Sequence, residues 1–190
     1  VTQHLSNKYG IPIAHLPMNI TPTGGTVSLA DSSASVNFSP NATLQDLYVS
    51  ITKLLNPSIE PTEGFRLLGS VYEIYAVNGA GMLVTQFAGN ISLTFKYNPF
   101  ELVGIDENTL KIYFYDEIFK QWVVLPSSVD TSNHTVTAIT NHLTKFGILG
   151  VILPTIPMNS TQTPPYSVPE PTTFVLVSLG LLGILVLIKR

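Results

Sequence analysis

Ile91-Ser92-Leu93-Thr94-Phe95-Lys96-Tyr97 alternates apolar and polar residues without a break. Successive side chains of a β-strand point to opposite faces, so this stretch buries Ile91, Leu93, Phe95 and Tyr97 and leaves Ser92, Thr94 and Lys96 toward water. The same period recurs downstream, where Leu110, Ile112 and Phe114 form one face opposite Lys111, Tyr113 and Tyr115. Asp116 to Lys120 reads as a short connection, and Gln121 to Leu125 returns with Trp122. Thr135 to Ile139 is rich in β-branched residues, and His142 to Leu149 closes the series. Upstream, strands are predicted over Gly25–Leu29, Ala34–Phe38, Leu47–Leu54 and Leu67–Val77, the last followed by an Asn78-Gly79 turn. Short strands with turn signals between them predict an all-β, antiparallel β-sandwich. No amphipathic helix is predicted before the C-terminal tail.

Composition narrows the function. Charged residues are 11% of the chain, against roughly 25% in an average soluble protein. The formal net charge is -3, and the only basic run is the terminal Lys189-Arg190. Binding nucleic acid takes clustered cations to displace counterions, so that class of partner is excluded. There are no cysteines, which removes disulfides, thiolate nucleophiles and thiolate metal sites together. The chain opens at Val1 with no basic-then-apolar leader, and an export signal is expected upstream of it.

The flanks differ from the body. Residues 1–23 carry Pro12, Pro17 and Pro22 and are expected to be extended and loop-like, with the sandwich over 24–150. Pro154, Pro157, Pro164 and Pro165 lie among Ser, Thr and Asn in a predicted stalk over 151–167. Beyond it, Phe174 to Ile188 contains no charge. As a helix it covers about 23 Å of a hydrocarbon core of about 30 Å, and a single transmembrane helix is predicted over 172–188. A buried core helix is the competing reading, but the stretch has no polar stripe, and Gly180 and Gly183 weaken a helix in water. Lys189 and Arg190 would stay in the cytoplasm and put everything upstream outside.

Pro169-Glu170-Pro171, the apolar run and the basic end resemble, in that order, the PEP-CTERM sorting signal over residues 168–190. The resemblance implies an exosortase as partner, an intramembrane transpeptidase that cuts near the triplet and releases or re-attaches the ectodomain. A plain C-terminal anchor would obey the same topology rule.

The body resembles the ZU-type β-sandwich of netrin receptors, ankyrins and many bacterial surface proteins. The residues that carry this are Gly24-Gly25-Thr26-Val27, Val36-Asn37-Phe38-Ser39-Pro40, Val84-Thr85-Gln86-Phe87, Leu93 to Tyr97, Leu110 to Tyr115 and Trp122-Val123-Val124-Leu125-Pro126. They are fold motifs, and the likeness implies an interaction or spacer module rather than an activity.

One segment carries a chemical hypothesis. His142-Leu143-Thr144, followed by Phe146 in a closing strand, is similar to the self-cleaving site of adhesion receptors. Carried over, His142 would take the proton of the Thr144 hydroxyl, which would attack the Leu143 carbonyl and give an ester that water opens. The competing reading makes Leu143 and Phe146 core residues, with His142 and Thr144 simply hydrogen bonded.

Elsewhere chemistry is sparse. His4, His15, His134 and His142 lack metal-ligand spacing, so no metal and no cofactor are expected. Asp106-Glu107-Asn108 reads as a solvated turn rather than a calcium loop, and Ser127-Ser128 as a turn with no triad partners. Six Asn-X-Ser/Thr triplets, at Asn19, Asn37, Asn41, Asn90, Asn133 and Asn159, are glycosylation acceptors only in a host with that machinery. Tyr113 and Tyr115 are either an aromatic platform for sugar or are covered by other parts of the fold. The function expected is a structural or adhesive cell-surface protein, not an enzyme, with exopolysaccharide or other surface proteins as further partners. A polysaccharide- or protein-binding module and a self-cleaving domain are the alternatives.

Overall fold

The computed structural model of the chain describes residues 13–14, 17–54 and 59–154. The sorting segment lies outside the described residues, and so does the transmembrane helix expected over 172–188.

The alternation around Ile91 becomes one long strand, β8 (Gln86–Lys96). Phe87, Ile91, Leu93 and Phe95 point inward and are buried. β8 lies within a five-stranded sheet ordered β11-β12-β8-β4-β3, with β3 at Gly25–Ser28, β4 at Ala34–Phe38, β11 at Ser127–Asp130 and β12 at Thr135–His142. Facing it is an eight-stranded sheet ordered β1-β5-β6-β13-β9-β10, with β2 and β7 joined to its margin. Its members are β1 (Ile13–Ala14), β2 (Met18–Ile20), β5 (Leu47–Leu54), β6 (Phe65–Asn78), β7 (Leu83–Val84), β9 (Lys111–Asp116), β10 (Gln121–Val124) and β13 (Lys145–Val151). The pairings are antiparallel throughout. Two short 3-10 turns, Pro99–Leu102 and Glu107–Thr109, are the helical elements among the described residues. No helix there is long and apolar enough to cross a membrane.

The two sheets bury one core between them. Val36, Phe38, Leu93, Phe95 and Val136 come from the smaller sheet; Val49, Ile51, Tyr72, Ile74, Ile112 and Phe146 come from the larger. The rings of Tyr72 and Phe95 meet across the interface with centroids 4.6 Å apart. Burying one such side chain stabilises by about 1.5–3 kcal/mol, so the facing apolar rows hold the layers together.

The larger sheet also buries part of its outer face. Val71, Trp122 and Leu149 form a second cluster there, covered by Leu54, Ile59, Phe65, Leu67, Tyr113 and Tyr115. The Trp122 indole donates to the Glu60 carbonyl at 3.1 Å, which ties the preceding loop over the cluster. β13 therefore has apolar neighbours on both faces, and its sequence runs apolar instead of alternating. Gly147 leaves room for this packing: a Cβ would stand 2.7 Å from the Leu67 Cδ1 and 3.3 Å from the Trp122 ring, and those side chains would have to shift.

Part of the N-terminal segment is strand: Met18–Ile20 pairs with Leu47–Val49 and β1 pairs with Thr52 and Lys53, extended backbone built into the larger sheet. Proline spacing hid this: Pro17 and Pro22 flank the strand without entering it. Ser127-Ser128 is not a turn but the start of β11, an edge strand on β12. The Ser127 hydroxyl donates to the Leu125 carbonyl at 2.8 Å and accepts from the Ile112 amide at 3.0 Å, which carries the chain from one sheet to the other.

Candidate functional site

His142 ends β12 in the smaller sheet and Lys145 begins β13 in the larger, so Leu143 and Thr144 form the corner between sheets. Three bonds hold this corner. The Leu143 amide donates to the Thr85 carbonyl at 3.0 Å. The Ile74 amide donates to the Thr144 carbonyl at 3.0 Å. The Thr144 hydroxyl reaches the Tyr115 carbonyl at 3.4 Å. The Leu143 side chain is buried in the core.

His142 does not use Thr144 as its partner. Its Nδ1 lies 2.9 Å from the Thr140 Oγ1, and among the described residues no hydrogen bond joins it to Thr144. The imidazole packs edge-on against Phe114, with centroids 4.6 Å apart, and near Phe146 at 6.1 Å. Its Nε2 is buried without a polar partner. Burial against these rings lowers the pKa of His142 below its ordinary value, because the cation loses hydration and gains no compensating anion. The sequence brought the three residues together at one corner; the side chains turn to different partners.

Tyr113 and Tyr115 lie in the outer cluster, not on an open platform. Tyr115 packs edge-on to Trp122 at 5.4 Å and Tyr113 to Phe65 at 5.9 Å. Alternation placed both on the outer face correctly; the rings that pack on them come from other strands of the same sheet.

Asp106, Glu107 and Asn108 are engaged locally. The Asp106 carboxylate accepts from the Asn108 amide at 3.0 Å and caps the 3-10 turn. Glu107 accepts from the Tyr97 hydroxyl at 2.5 Å, and His134 Nδ1 stands 3.9 Å from the same oxygen. Burial and this carboxylate together hold the Tyr97 hydroxyl well above its usual range. Among the described residues no group of three His, Cys, Asp or Glu side chains is arranged to hold a metal ion.

Sequence reasoning missed a polar cleft at one margin of the sandwich. It is an open depression of about 270 Å³ lined by Asp31, Lys53, Tyr72, Lys96, Asn98 and Glu101, among others. These residues come from four separate segments, so no local motif announces them. Asp31 accepts from the Ser33 amide at 2.9 Å, the Ser33 hydroxyl at 2.6 Å and the Lys53 ammonium at 3.3 Å. Burial pushes its carboxyl up, but those donors outweigh it and leave the pKa below the ordinary value. Glu101 accepts from the Gly69 amide at 2.7 Å. Asp31, Lys53 and Glu101 are thus already paired within the chain, and Lys96 and Asn98 complete the lining.

Pro169, Glu170, Pro171, Lys189 and Arg190 lie outside the described residues. Their segment is where comparison with known proteins is informative: residues 167–190 match the PEP-CTERM protein-sorting motif. That motif indicates exosortase-dependent sorting of an exported protein of the cell envelope. No curated protein matches the chain.

Proposed function

We propose that this chain is a structural or adhesive cell-surface protein whose sandwich, akin to the ZU type, is displayed outside the cell and sorted by an exosortase. The carrying observation is the sorting motif at residues 167–190. In this reading residues 172–188 occupy the bilayer, Lys189 and Arg190 stay on the cytoplasmic side, and Pro169-Glu170-Pro171 is the recognition triplet. The body acts as a spacer or adhesive unit in an exopolysaccharide-rich envelope or matrix and performs no metabolic chemistry. Its two facing sheets and single shared core support this role. The test is the paired substitution Pro169→Ala and Glu170→Ala in the native host. The expected result is unprocessed protein retained in the membrane. Unchanged size and location would favour a plain anchor.

A second reading, a polysaccharide- or protein-binding module, is favoured by the polar cleft around Asp31, Tyr72, Asn98 and Glu101. A glycan array separates it from inert scaffolding. Binding that survives Asn98→Ala and Asp31→Ala would remove the cleft from consideration.

Self-cleavage between Leu143 and Thr144 would need the Thr144 hydroxyl to leave the Tyr115 carbonyl and His142 to leave Thr140. The neutral, apolar setting of His142 suits packing. An intact mass unchanged after days of incubation is expected. A pair of fragments that meet at Leu143–Thr144, lost in Thr144→Ala, would reverse this.

A further inference from the structure

At one end of the sandwich two neighbouring segments expose apolar side chains. Phe100 is 87% exposed and Val103 80%, both at the 3-10 turn after β8, and Ile152 and Leu153 are nearly half exposed. These four residues belong to two segments that are bonded side by side. Ile105 and Ile152 form an antiparallel bridge, the Asp106 amide donates to the Val151 carbonyl at 3.3 Å, and the Leu153 amide donates to the Gly104 carbonyl at 2.8 Å. The turn itself is fixed. The Glu101 carboxylate accepts from Gly69 and the Glu101 carbonyl from Arg66, which pins the turn to the first residues of β6. Phe100 and Val103 are thus held outward on a braced element.

The same end is where the chain leaves the sandwich. After Leu153, residues 154–171 precede the run 172–188 that is read as inserting in lipid. Eighteen residues extend at most about 60–65 Å at roughly 3.3–3.6 Å each. A membrane-held tail therefore keeps this end, more than any other part of the body, within reach of the lipid surface. Tethering also raises the effective concentration, so a patch too small to bind free vesicles can engage once it is held nearby. Phenylalanine and branched aliphatic side chains are the kind that settle into the interfacial layer of a bilayer.

We propose that Phe100, Val103, Ile152 and Leu153 form a membrane-contacting tip that rests on the outer surface of the bilayer holding the sorting tail. The tip rests on the reading that residues 172–188 insert in lipid. Neighbouring Glu101, Asp106 and Glu107 make a zwitterionic surface the fitting one, since anionic headgroups would be repelled.

The chain has no cysteine, so single labels are unambiguous. The full chain is reconstituted into phosphatidylcholine vesicles with an environment-sensitive fluorophore on Val103→Cys or, at the Asp116–Lys120 connection, on Ile118→Cys. Spin-labelled phosphatidylcholine serves as quencher. Flotation with the vesicles first reports tail insertion. The expected result is co-flotation, with quenching at position 103 at least about twofold stronger than at 118 and falling toward the 118 level when Phe100→Asp is added. Chain that fails to float overturns the membrane reading and the tip with it. Chain that floats but quenches equally at both positions, or shifts its emission at 103 without quenching, overturns the tip alone, and the second outcome assigns the patch to a contact between copies.

Discussion

Two stretches of this chain are almost unbroken in their apolar character, Phe146–Leu149 within β13 and Phe174–Ile188 in the sorting segment. Composition alone does not separate them. The first lies in a strand of seven residues, short enough to be covered on both faces by neighbours from the same chain. The second, at 15 residues, is nearly three times the length of a typical strand and follows closely on Pro169 and Pro171. A short, paired apolar run finds its solvent inside the protein, whereas a long, all-round one suits lipid, which is the setting proposed for the second. Elsewhere in the body the apolar residues alternate, because each strand faces the core on one side.

The largest test of that contrast is deletion of Phe174–Arg190. The protein is expected to move almost completely from the envelope fraction to the medium, with the melting temperature of the body unchanged. A matching loss of thermal stability would mean that the segment serves the fold after all. Next comes Phe95→Ala, which empties a fully buried site beside Tyr72. Denaturant unfolding of the full chain should show a loss of about 3–5 kcal/mol, with sorting intact in whatever fraction folds. A smaller effect is expected of Gly147→Val, which drives side-chain atoms toward Leu67 and the Trp122 ring. Overpacking there should cost about 1–3 kcal/mol and alter Trp122 fluorescence. A silent Gly147→Val would show that the outer cluster is loosely packed.

The smallest effect is one of pH. His142 titrates near 6.5 when unfolded, and burial lowers that value in the fold. Between the two values the unfolded chain binds more protons, so the contribution of His142 is full above about pH 6.5 and is lost as pH falls below it. Asp31, Glu117 and Asp130 have lowered folded values, so their contributions are lost only further down, in the carboxylate range. Melting temperature followed from pH 7.5 to 5 should decline in the wild type and decline less in His142→Leu. Identical slopes would leave His142 without a part in the pH response.

Much of the strand pattern was legible. Ala34–Phe38 and Leu47–Leu54 are strands with the boundaries that alternation gives them, and the inward residues of β8 are those the period selects. Met18–Ile20 and Ser127–Asp130 were not legible, because both are edge strands whose pairing is settled by a distant partner rather than by their own pattern. The candidate corner at His142-Leu143-Thr144 was found by its spelling, yet its hydrogen bonds go to Thr140, Thr85 and Tyr115. The polar cleft was invisible, since Asp31, Lys53, Tyr72, Lys96 and Glu101 are brought together only by the stacking of sheets.

What the sequence alone determined is the all-β class, the inward faces of the central strands and the sorting address, for each of these is written in consecutive residues. Only the tertiary structure decided which surfaces stay open: it packed Tyr113 against Phe65 and Tyr115 against Trp122, turned His142 away from Thr144, and left Phe100 and Val103 exposed beside the chain exit. The physical reason is that periodicity fixes the direction in which a side chain leaves its strand, whereas exposure and hydrogen-bond partners depend on what a remote part of the chain places in front of it.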